Sequence, residues 1–217
     1  MAEAKIVVFA GDGVGPEVMI EARRVLAKVA KKYGHTFDLD PRLIGGCAID
    51  AYGEPLRDED MAAAGVADAI LLGAVGGPKW DNPNSSVRPE QGLLKIRKAL
   101  GLYANLRPVA VYPALVDASP LKPEIVRGVD VMVVRELTGG IYFGKPSERR
   151  QEDGEWIAVD TLVYREHEIE RVVRLAFEIA GGRKKKLASI DKANVLESSR
   201  LWRSVATRVA SDYPDVE

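Results

Sequence analysis

The chain has 217 residues, with 31 Lys and Arg against 32 Asp and Glu, so its formal net charge is −1. This balance argues against a dedicated nucleic-acid-binding protein, and no apolar run is long enough to span a membrane. Its single cysteine, Cys47, excludes an intrachain disulfide and a paired-cysteine metal site, and it is typical of a reducing compartment. Since no signal peptide follows Met1, we expect a cytoplasmic protein with one large or two small domains.

Strands and helices alternate in the first part of the chain, a pattern that predicts α/β architecture with a largely parallel sheet. Apolar runs predict strands at residues 5–10, 36–44 and 69–72. Helices are expected after Pro16 and over residues 58–67 and 91–100. The helix after Pro16 is predicted to bury one face composed of Val18, Ala22, Val25, Leu26 and Val29.

Two glycine-rich turns follow the predicted strands of this part. The turn Gly11–Glu17 resembles a dinucleotide-binding loop, but that fingerprint requires a third glycine where this chain has Pro16. A structural tight turn is therefore the preferred interpretation. The second turn runs from Gly73 to Pro89, and loops of that length are usually functional or mobile.

The second part of the chain is predicted to contain further strands, an arm and two helices. Strands are expected at 109–112, 129–134 and 187–190, and the start of another at 213–217. Residues 147–165 read as a hairpin arm with its tip at 151–154, whose apolar strand a second subunit could cover. One helix carries a core or interface stripe of Ile169, Val172, Val173, Ala176, Phe177 and Ala180. The last helix carries Leu201, Trp202, Val205, Ala206 and Val209.

The segment Arg135–Gly144 combines polar and glycine residues at the end of the strand predicted as buried at 129–134. Ligands of open α/β sheets bind beyond the carboxyl ends of strands. Tyr142 supplies a phenol that can donate or accept a proton. A hairpin turn with a surface arginine is the equally acceptable alternative for this segment taken alone.

One face of the helix predicted over 91–100 is apolar in the middle and charged at its ends. Glu90, Leu93, Leu94 and Arg97 follow the spacing i, i+3, i+4, i+7 and so share that face. An ordinary amphipathic helix with both leucines in the core explains this pattern. The alternative is the wall of a ligand pocket.

Four basic residues stand out: Arg97 on the helix with the mixed face, Arg107 before a predicted strand, Arg135 after one, and Lys192 after another. Arginine suits bidentate carboxylate recognition, and three converging arginines would suit a dicarboxylate. A desolvated lysine can act as a base, with Tyr142 as its acid partner. Taken one by one, each arginine is more often a surface residue.

Five motifs, in order along the chain, together resemble the isocitrate/isopropylmalate dehydrogenases, and within them the isopropylmalate branch. They are Gly11–Glu17, Gly76–Trp80, Ala104–Pro108, Arg135–Gly144 and Asp191–Leu196. The resemblance covers essentially the whole chain. It implies an α/β fold in two domains with a mixed sheet: residues 1–101 would be the first half of a cofactor-side domain, and 102–217 a substrate and dimerisation domain.

The resemblance implies NAD-dependent oxidation of 3-isopropylmalate followed by decarboxylation to 4-methyl-2-oxopentanoate, a step of leucine biosynthesis. Arg97, Arg107 and Arg135 would then hold the malate carboxylates, Lys192 would take the hydroxyl proton, and Tyr142 would protonate the enolate. Glu90, Leu93 and Leu94 would line the isopropyl pocket, an apolar wall that would leave a third carboxylate unpaired. The nicotinamide end of NAD would lie near Gly73, Ala74, Val75, Gly76, Gly77 and Asn194.

Further expectations concern cofactors and assembly. The resemblance implies Mg or Mn, with ligands beyond residue 217, and a homodimer in which the lysine reaches the neighbour's pocket. The chain is expected to be the amino-terminal portion of such an enzyme and inactive or nearly so alone. Malate-, tartrate- or isocitrate-type dehydrogenases are the alternatives within the family. A truncated, non-catalytic chain that still dimerises is the alternative of another class.

Overall fold

The computed structural model describes residues 1–217, which divide into two compact units, Met1–Leu100 and Gly101–Glu217. The division falls beside the boundary expected between residues 101 and 102. None of the helices is both long enough and apolar enough to cross a membrane.

The first unit contains a parallel three-stranded sheet with strand order β2-β1-β3. Its strands are β1 (Glu3–Gly11), β2 (Thr36–Arg42) and β3 (Ala69–Ala74). Its helices are α1 (Gly15–Tyr33), α2 (Gly46–Tyr52), α3 (Asp58–Gly65) and α4 (Pro89–Ala99). The parallel α/β prediction is confirmed for this unit, and α2 is a helix that the sequence analysis did not predict.

The central strand β1 buries both of its faces, because alternate side chains point to opposite sides of a sheet. Val7 and Phe9 pack into one cluster, and Ile6 and Val8 pack into another together with Met19 of α1. All four β1 side chains are less than a tenth exposed. This two-sided burial explains the uninterrupted apolar run in the sequence.

Helix α1 turns only part of its predicted face to the sheet. Met19 is buried, and Ala22 and Leu26 pack beside it. Val18 and Val25 of the predicted face are exposed at 49% and 63%. The prediction was wrong for these valines because the helix carries two apolar stripes, and a three-stranded sheet contacts only one of them.

The second unit contains two separate antiparallel pairs, β4 with β5 and β6 with β7. Its strands are β4 (Ala104–Ala110), β5 (Asp130–Glu136), β6 (Ser147–Glu152) and β7 (Glu155–Asp160). Its helices are α5 (Pro123–Val126), α6 (Glu166–Gly181) and α7 (Glu197–Ala210). The largely parallel sheet predicted for the chain therefore does not extend to this unit.

Helices α6 and α7 form the core of the second unit. The six buried side chains of α6 are the six predicted from its apolar stripe. Val205, Ala206 and Val209 of α7 complete the cluster, and the ring of Phe177 stacks on that of Tyr213 at 4.9 Å between centres. The core interpretation of the α6 stripe is thus confirmed.

Strand predictions in the second unit were wrong in three places. Residues 187–190 and 213–217 are not strands, and β7 ends at Asp160, so that residues 161–165 lie outside any strand. β5 was expected to be buried, yet Val131 and Val133 are about half exposed. The amide of Leu187 donates to the carbonyl of Glu217 at 2.8 Å, and that of Gly140 to the carbonyl of Val163 at 2.8 Å. Isolated bonds of this kind do not make a strand, because a strand requires a ladder of successive bonds.

The predicted arm contains a β-hairpin. β6 and β7 pair from Ser147 opposite Asp160 to Glu152 opposite Glu155. Asp153 and Gly154 between them have φ values of 51° and 84°. This is the left-handed conformation of a two-residue Asp-Gly turn, which matches the twist of the two strands.

Candidate functional site

Two arginines share one face of the β4–β5 pair. The antiparallel register places Arg107 opposite Val133 and Asn105 opposite Arg135. Opposite residues, and residues two apart on a strand, point to the same side. Arg107 and Arg135 therefore project from one face of neighbouring strands. Both lie within strands, whereas the sequence analysis placed Arg107 before a strand and Arg135 after one.

Tyr142 ends a short 3₁₀ turn, Gly140–Tyr142, that follows β5. Its phenol oxygen accepts a hydrogen bond of 3.2 Å from Nη2 of Arg135, whose guanidinium carbon lies 5.7 Å from the ring centre. Because the oxygen accepts from the arginine, the hydroxyl hydrogen remains free to be donated elsewhere. Tyr142 is 60% exposed, so a ligand can reach that donor.

Both arginines and Tyr142 line one cleft of about 530 Å³, within the size range of small-molecule sites. Part of its wall is apolar and aromatic, with Tyr164, Ile190 and Trp202 among the lining residues. Burial raises the pKa of Tyr164, and the negative charge of Glu136 raises it further. The cleft thus combines two cations with phenol groups on a partly apolar wall.

Lys192 and Asn194 do not line this cleft. Both residues are exposed and lie just before α7. Their neighbour Asp191 does line the cleft, and its carboxylate accepts hydrogen bonds of 2.7 and 2.9 Å from Arg203. These bonds, and one from a backbone amide, lower the pKa of Asp191. The structure therefore does not bring Lys192 and Tyr142 into one cleft of this unit.

The predicted pocket face of α4 is only partly available in the first unit. Leu93 packs against the buried core, as the ordinary amphipathic interpretation expected. Leu94 and Arg97 are half-buried. Glu90 is exposed, and its Oε1 lies 2.9 Å from the position that a Cβ on Gly76 would occupy. α4 therefore brings Glu90 against the turn that was predicted to approach the cofactor.

That turn, Gly73–Gly77, is held by the buried carboxylate of Asp12. Oδ2 of Asp12 accepts hydrogen bonds from the backbone amides of Gly76 at 2.9 Å and Gly46 at 2.6 Å. Oδ1 accepts from the amide of Cys47 at 2.7 Å. One side chain thus joins the turn after β1, the turn after β3 and the first residues of α2.

The glycines of the two turns allow close contact between backbones. A Cβ on Gly11 would lie 1.8 Å from the carbonyl oxygen of Ala74, and one on Gly73 would lie 2.3 Å from that of Ala10. No side chain fits at such distances. This packing agrees with the tight-turn interpretation of Gly11–Glu17.

The continuation of the second turn is anchored on α2. Asp50 accepts hydrogen bonds from Nζ of Lys79 at 2.6 Å and from Nε1 of Trp80 at 3.2 Å. Lys79, and then Trp80, lower the pKa of Asp50. Beside Trp80 lies a cavity of about 410 Å³ whose wall includes Gly77 and Glu90. Of the residues expected on the cofactor side, Gly77 borders this cavity of the first unit.

No group of three or more His, Cys, Asp or Glu side chains suited to a metal ion occurs among residues 1–217.

The family model described as isocitrate/isopropylmalate dehydrogenase matches residues 5–217. The chain belongs to the isocitrate/isopropylmalate dehydrogenase family. The resemblance read from its motifs is confirmed at the level of the family.

Relatives of this family member include two proteins named 3-isopropylmalate dehydrogenase. One, from Anaeromyxobacter dehalogenans (strain 2CP-C), is 62% identical over 98% of the chain, which covers 60% of that relative. The other, from Geobacillus kaustophilus (strain HTA426), is 59% identical over 100% of the chain, which covers 58% of it. The chain therefore spans about 60% of the length of the curated relatives it matches.

A solved structure shares the fold of this family member. It is described as isocitrate dehydrogenase from Methylococcus capsulatus and is 29% identical, with a TM-score of 0.79. The match covers 98% of the chain and 58% of the solved structure. The α/β fold inferred from the motifs is confirmed.

Sequence reasoning missed two buried carboxylates that organise the site of this family member, Asp12 and Glu136. Each lies inside a motif that was recognised, yet neither received a role. Asp12 is 64 positions from Gly76, the farthest amide that it binds. A signal was present, since an acid beside glycines is suited to accepting backbone amide hydrogen bonds, but the partners could not be read from the sequence.

Proposed function

We propose that this protein catalyses the NAD-dependent oxidation and decarboxylation of 3-isopropylmalate to 4-methyl-2-oxopentanoate, in leucine biosynthesis. The observation that carries the proposal is the cleft shared by Arg107, Arg135 and Tyr142. The names of relatives about 60% identical supply the substrate. Because the chain spans only part of those relatives, the activity is assigned to the protein as a whole.

The two arginines of the cleft bind the carboxylates of the substrate. A guanidinium presents paired donors that match a carboxylate, and two on one face suit a small dicarboxylate. Arg107 is oriented by Asn105, whose side-chain oxygen accepts a hydrogen bond from its Nε. Arg97 of the first unit is proposed as a third carboxylate ligand.

Tyr142 acts as the acid that protonates the enolate left by decarboxylation. Its hydroxyl hydrogen is available because its oxygen already accepts from Arg135. A positioned proton donor of this kind contributes about 10²- to 10⁴-fold to a rate. Lys192 is proposed as the base for the substrate hydroxyl, from a second copy of the chain, because it does not line the cleft that contains Tyr142.

Specificity for the isopropyl group is assigned to α4 of the first unit. Glu90, Leu93 and Leu94 form the apolar wall with an acidic end, and Leu93 supports it from the core. Arg97 on the same face is assigned to a malate carboxylate, so a third substrate carboxylate, as in isocitrate, would find no further cation beside Leu93 and Leu94 and would lose its hydration there. This argument favours isopropylmalate over isocitrate.

NAD is proposed to lie beside Gly73, Ala74, Val75, Gly76 and Gly77, with Asn194 near its nicotinamide end, and it would accept the hydride. The fit is supported by the cavity beside Gly77 and Glu90. The amide of Gly76 is already bound to Asp12, so contacts to NAD would come from other groups. The proposed divalent ion, Mg or Mn, has no ligand set among residues 1–217, and we assign no step to it here.

The proposed assembly is a cytoplasmic homodimer that acts on a small 2-hydroxy dicarboxylate, without nucleic-acid or membrane partners. The β6–β7 hairpin supports a dimer because its side chains are largely exposed, including Trp156 at 65%. Large exposed aromatic residues often mark protein interfaces.

The test is an NADH-absorbance assay of the protein expressed from its own gene, with its intact mass measured on the same preparation. Turnover of 3-isopropylmalate that requires Mg or Mn supports the proposal. Faster turnover of isocitrate, malate or tartrate would identify that compound as the substrate instead. Isocitrate is the alternative that the solved relative favours. A stable dimer with no turnover of any of them would overturn the proposal in favour of a non-catalytic dimerising chain.

Single-residue variants test the roles proposed for Tyr142 and Arg135. Tyr142→Phe is expected to lower kcat about a hundredfold or more, because only the proton donor is removed. Tyr112→Phe is its matched control, since Tyr112 is an exposed tyrosine that does not line the cleft. Arg135→Gln is expected to raise KM for the substrate about tenfold or more by removing a charge-assisted pair.

A further inference from the structure

Glu136, the last residue of β5, borders the cleft, but its side chain is directed into the second unit. Successive side chains of a strand project to opposite faces, so Arg135 on the open face dictates that Glu136 faces inward. The Glu136 side chain is only 2% exposed. A carboxylate buried to this degree requires hydrogen-bonding partners, because its desolvation is otherwise costly.

Glu136 receives three hydrogen bonds from the turn that follows it. Its Oε1 accepts from the amide of Thr138 at 2.8 Å and from the Thr138 hydroxyl at 2.6 Å. Its Oε2 accepts from the amide of Gly139 at 2.9 Å. Bonds to an ionised acceptor are about twice as strong as neutral ones, so the start of the turn is firmly held.

Arg171 of α6 completes this arrangement. Its Nη2 lies 3.8 Å from Oε1 of Glu136 and donates to the Thr138 hydroxyl oxygen. Its guanidinium carbon also lies 4.7 Å from the ring centre of Tyr103. The Thr138 hydroxyl therefore donates to the Glu136 carboxylate and accepts from the Arg171 guanidinium. This links the turn to α6.

The opposite side of the turn is covered by Tyr164. A Cβ on Gly139 would lie 2.8 Å from the Tyr164 ring, and one on Gly140 would lie 2.7 Å from its hydroxyl oxygen. Gly140 also has a φ of 74° and donates its amide to the carbonyl of Val163 at 2.8 Å. The turn is thus enclosed between Glu136 and Tyr164. The enclosed segment ends at Gly140, two residues before Tyr142.

We propose that Glu136 is a positioning residue for Tyr142. Both oxygens of its carboxylate are occupied by Thr138 and Gly139, so we assign it no contact with the substrate. Instead it fixes the turn over residues 137–142, which places the Tyr142 phenol against Arg135. The inference rests on the proposed function for its kinetic consequence. Its structural part, that Glu136 sets the position of the Tyr142 ring, stands apart from that function.

The kinetic test is Glu136→Gln in the protein expressed from its own gene. The glutamine amide group would face at least one amide of the turn, so that two donors oppose each other. We expect kcat to fall about ten- to hundredfold, the scale of a small misplacement of a reacting group. KM for the substrate should change less than about threefold, because the pairing of β4 with β5 continues to position Arg107 and Arg135.

Val209→Ala is the control, because Val209 is buried in the same unit without touching the turn. It should lower stability and leave kcat near its original value at a temperature where both variants are folded. A kcat for Glu136→Gln equal to that of the control would overturn the proposal. Thr138→Val removes only the hydroxyl bonds and replaces Glu136→Gln if the latter does not fold, with the same expected direction.

A structural readout separates this proposal from the proposed function. Tyrosines labelled with ¹³C give an NMR signal for Tyr142 that Tyr142→Phe assigns. Glu136→Gln should shift or broaden that signal and speed hydrogen exchange of the Gly139 amide, and Val209→Ala should do neither. An unchanged Tyr142 signal would overturn the positioning role. If the unaltered protein shows no dehydrogenase activity, the proposed function fails and the NMR result still decides the role of Glu136.

Discussion

Asp12 should contribute more to the stability of the first unit than any surface carboxylate, because three backbone amides depend on it. It is 3% exposed and accepts from Gly46, Cys47 and Gly76. A hydrogen bond to a charged group contributes about 1.5 to 3 kcal/mol. We take the lower figure, since Cys47 and Gly76 are only part-buried, and expect Asp12→Ala to cost about 4 to 5 kcal/mol.

Asp12→Asn should cost less than Asp12→Ala. Its one oxygen can take the place of Oδ2 and serve both glycine amides, while its amide group opposes the amide of Cys47. The expected cost is therefore about 2 kcal/mol. The cost of Asp12→Asn follows from the hydrogen-bond geometry, and size alone does not predict it, since asparagine and aspartate are nearly isosteric.

The assay is urea unfolding followed by the fluorescence of Trp80, whose ring packs against Gly46 of α2. The chain has three tryptophans, and Trp156 and Trp202 lie in the second unit. A background with both replaced by phenylalanine leaves Trp80 as the reporter of the first unit. Asp68→Asn is the control, because exposed Asp68 accepts one backbone amide hydrogen bond, at 2.8 Å. A cost for Asp12→Ala no larger than that of the control would refute the reasoning.

Two further predictions concern the α6–α7 core. Phe177→Ala should lower the free energy of unfolding by about 3 to 5 kcal/mol, the usual range for a buried phenylalanine, and a loss below about 1 kcal/mol in urea titrations would contradict its core position. Arg174, and then Arg208, lower the pKa of Glu170. A lowered folded-state pKa gives stability that is present above the unfolded value of about 4.3 and lost as pH falls through the folded value. Glu170→Gln should therefore flatten the acid side of a plot of Tm against pH. An unchanged slope would show that the ion pairs of Glu170 with Arg174 and Arg208 do not cause the loss of stability in acid.

Local patterns in the sequence determined those features that depend on one element at a time. The apolar stripe of α6 gave its six buried residues, because helical periodicity fixes which side chains share a face. Asp153-Gly154 gave the hairpin, because few residue pairs adopt its turn. The ordered motifs gave the family, because together they cover nearly the whole chain.

Only the tertiary structure decided which elements acquire partners. Residues 187–190 have the composition of a strand and do not form one, and Val25 has the spacing of a core residue and remains exposed. Lys192 was grouped with Tyr142 on chemistry, yet it does not line the cleft that contains it. Asp12 and Glu136 acquired their roles from backbone amides, which every residue type but proline carries. Side-chain periodicity is written in the sequence, whereas hydrogen-bond partners and the face that a neighbour covers are set by contacts between distant segments.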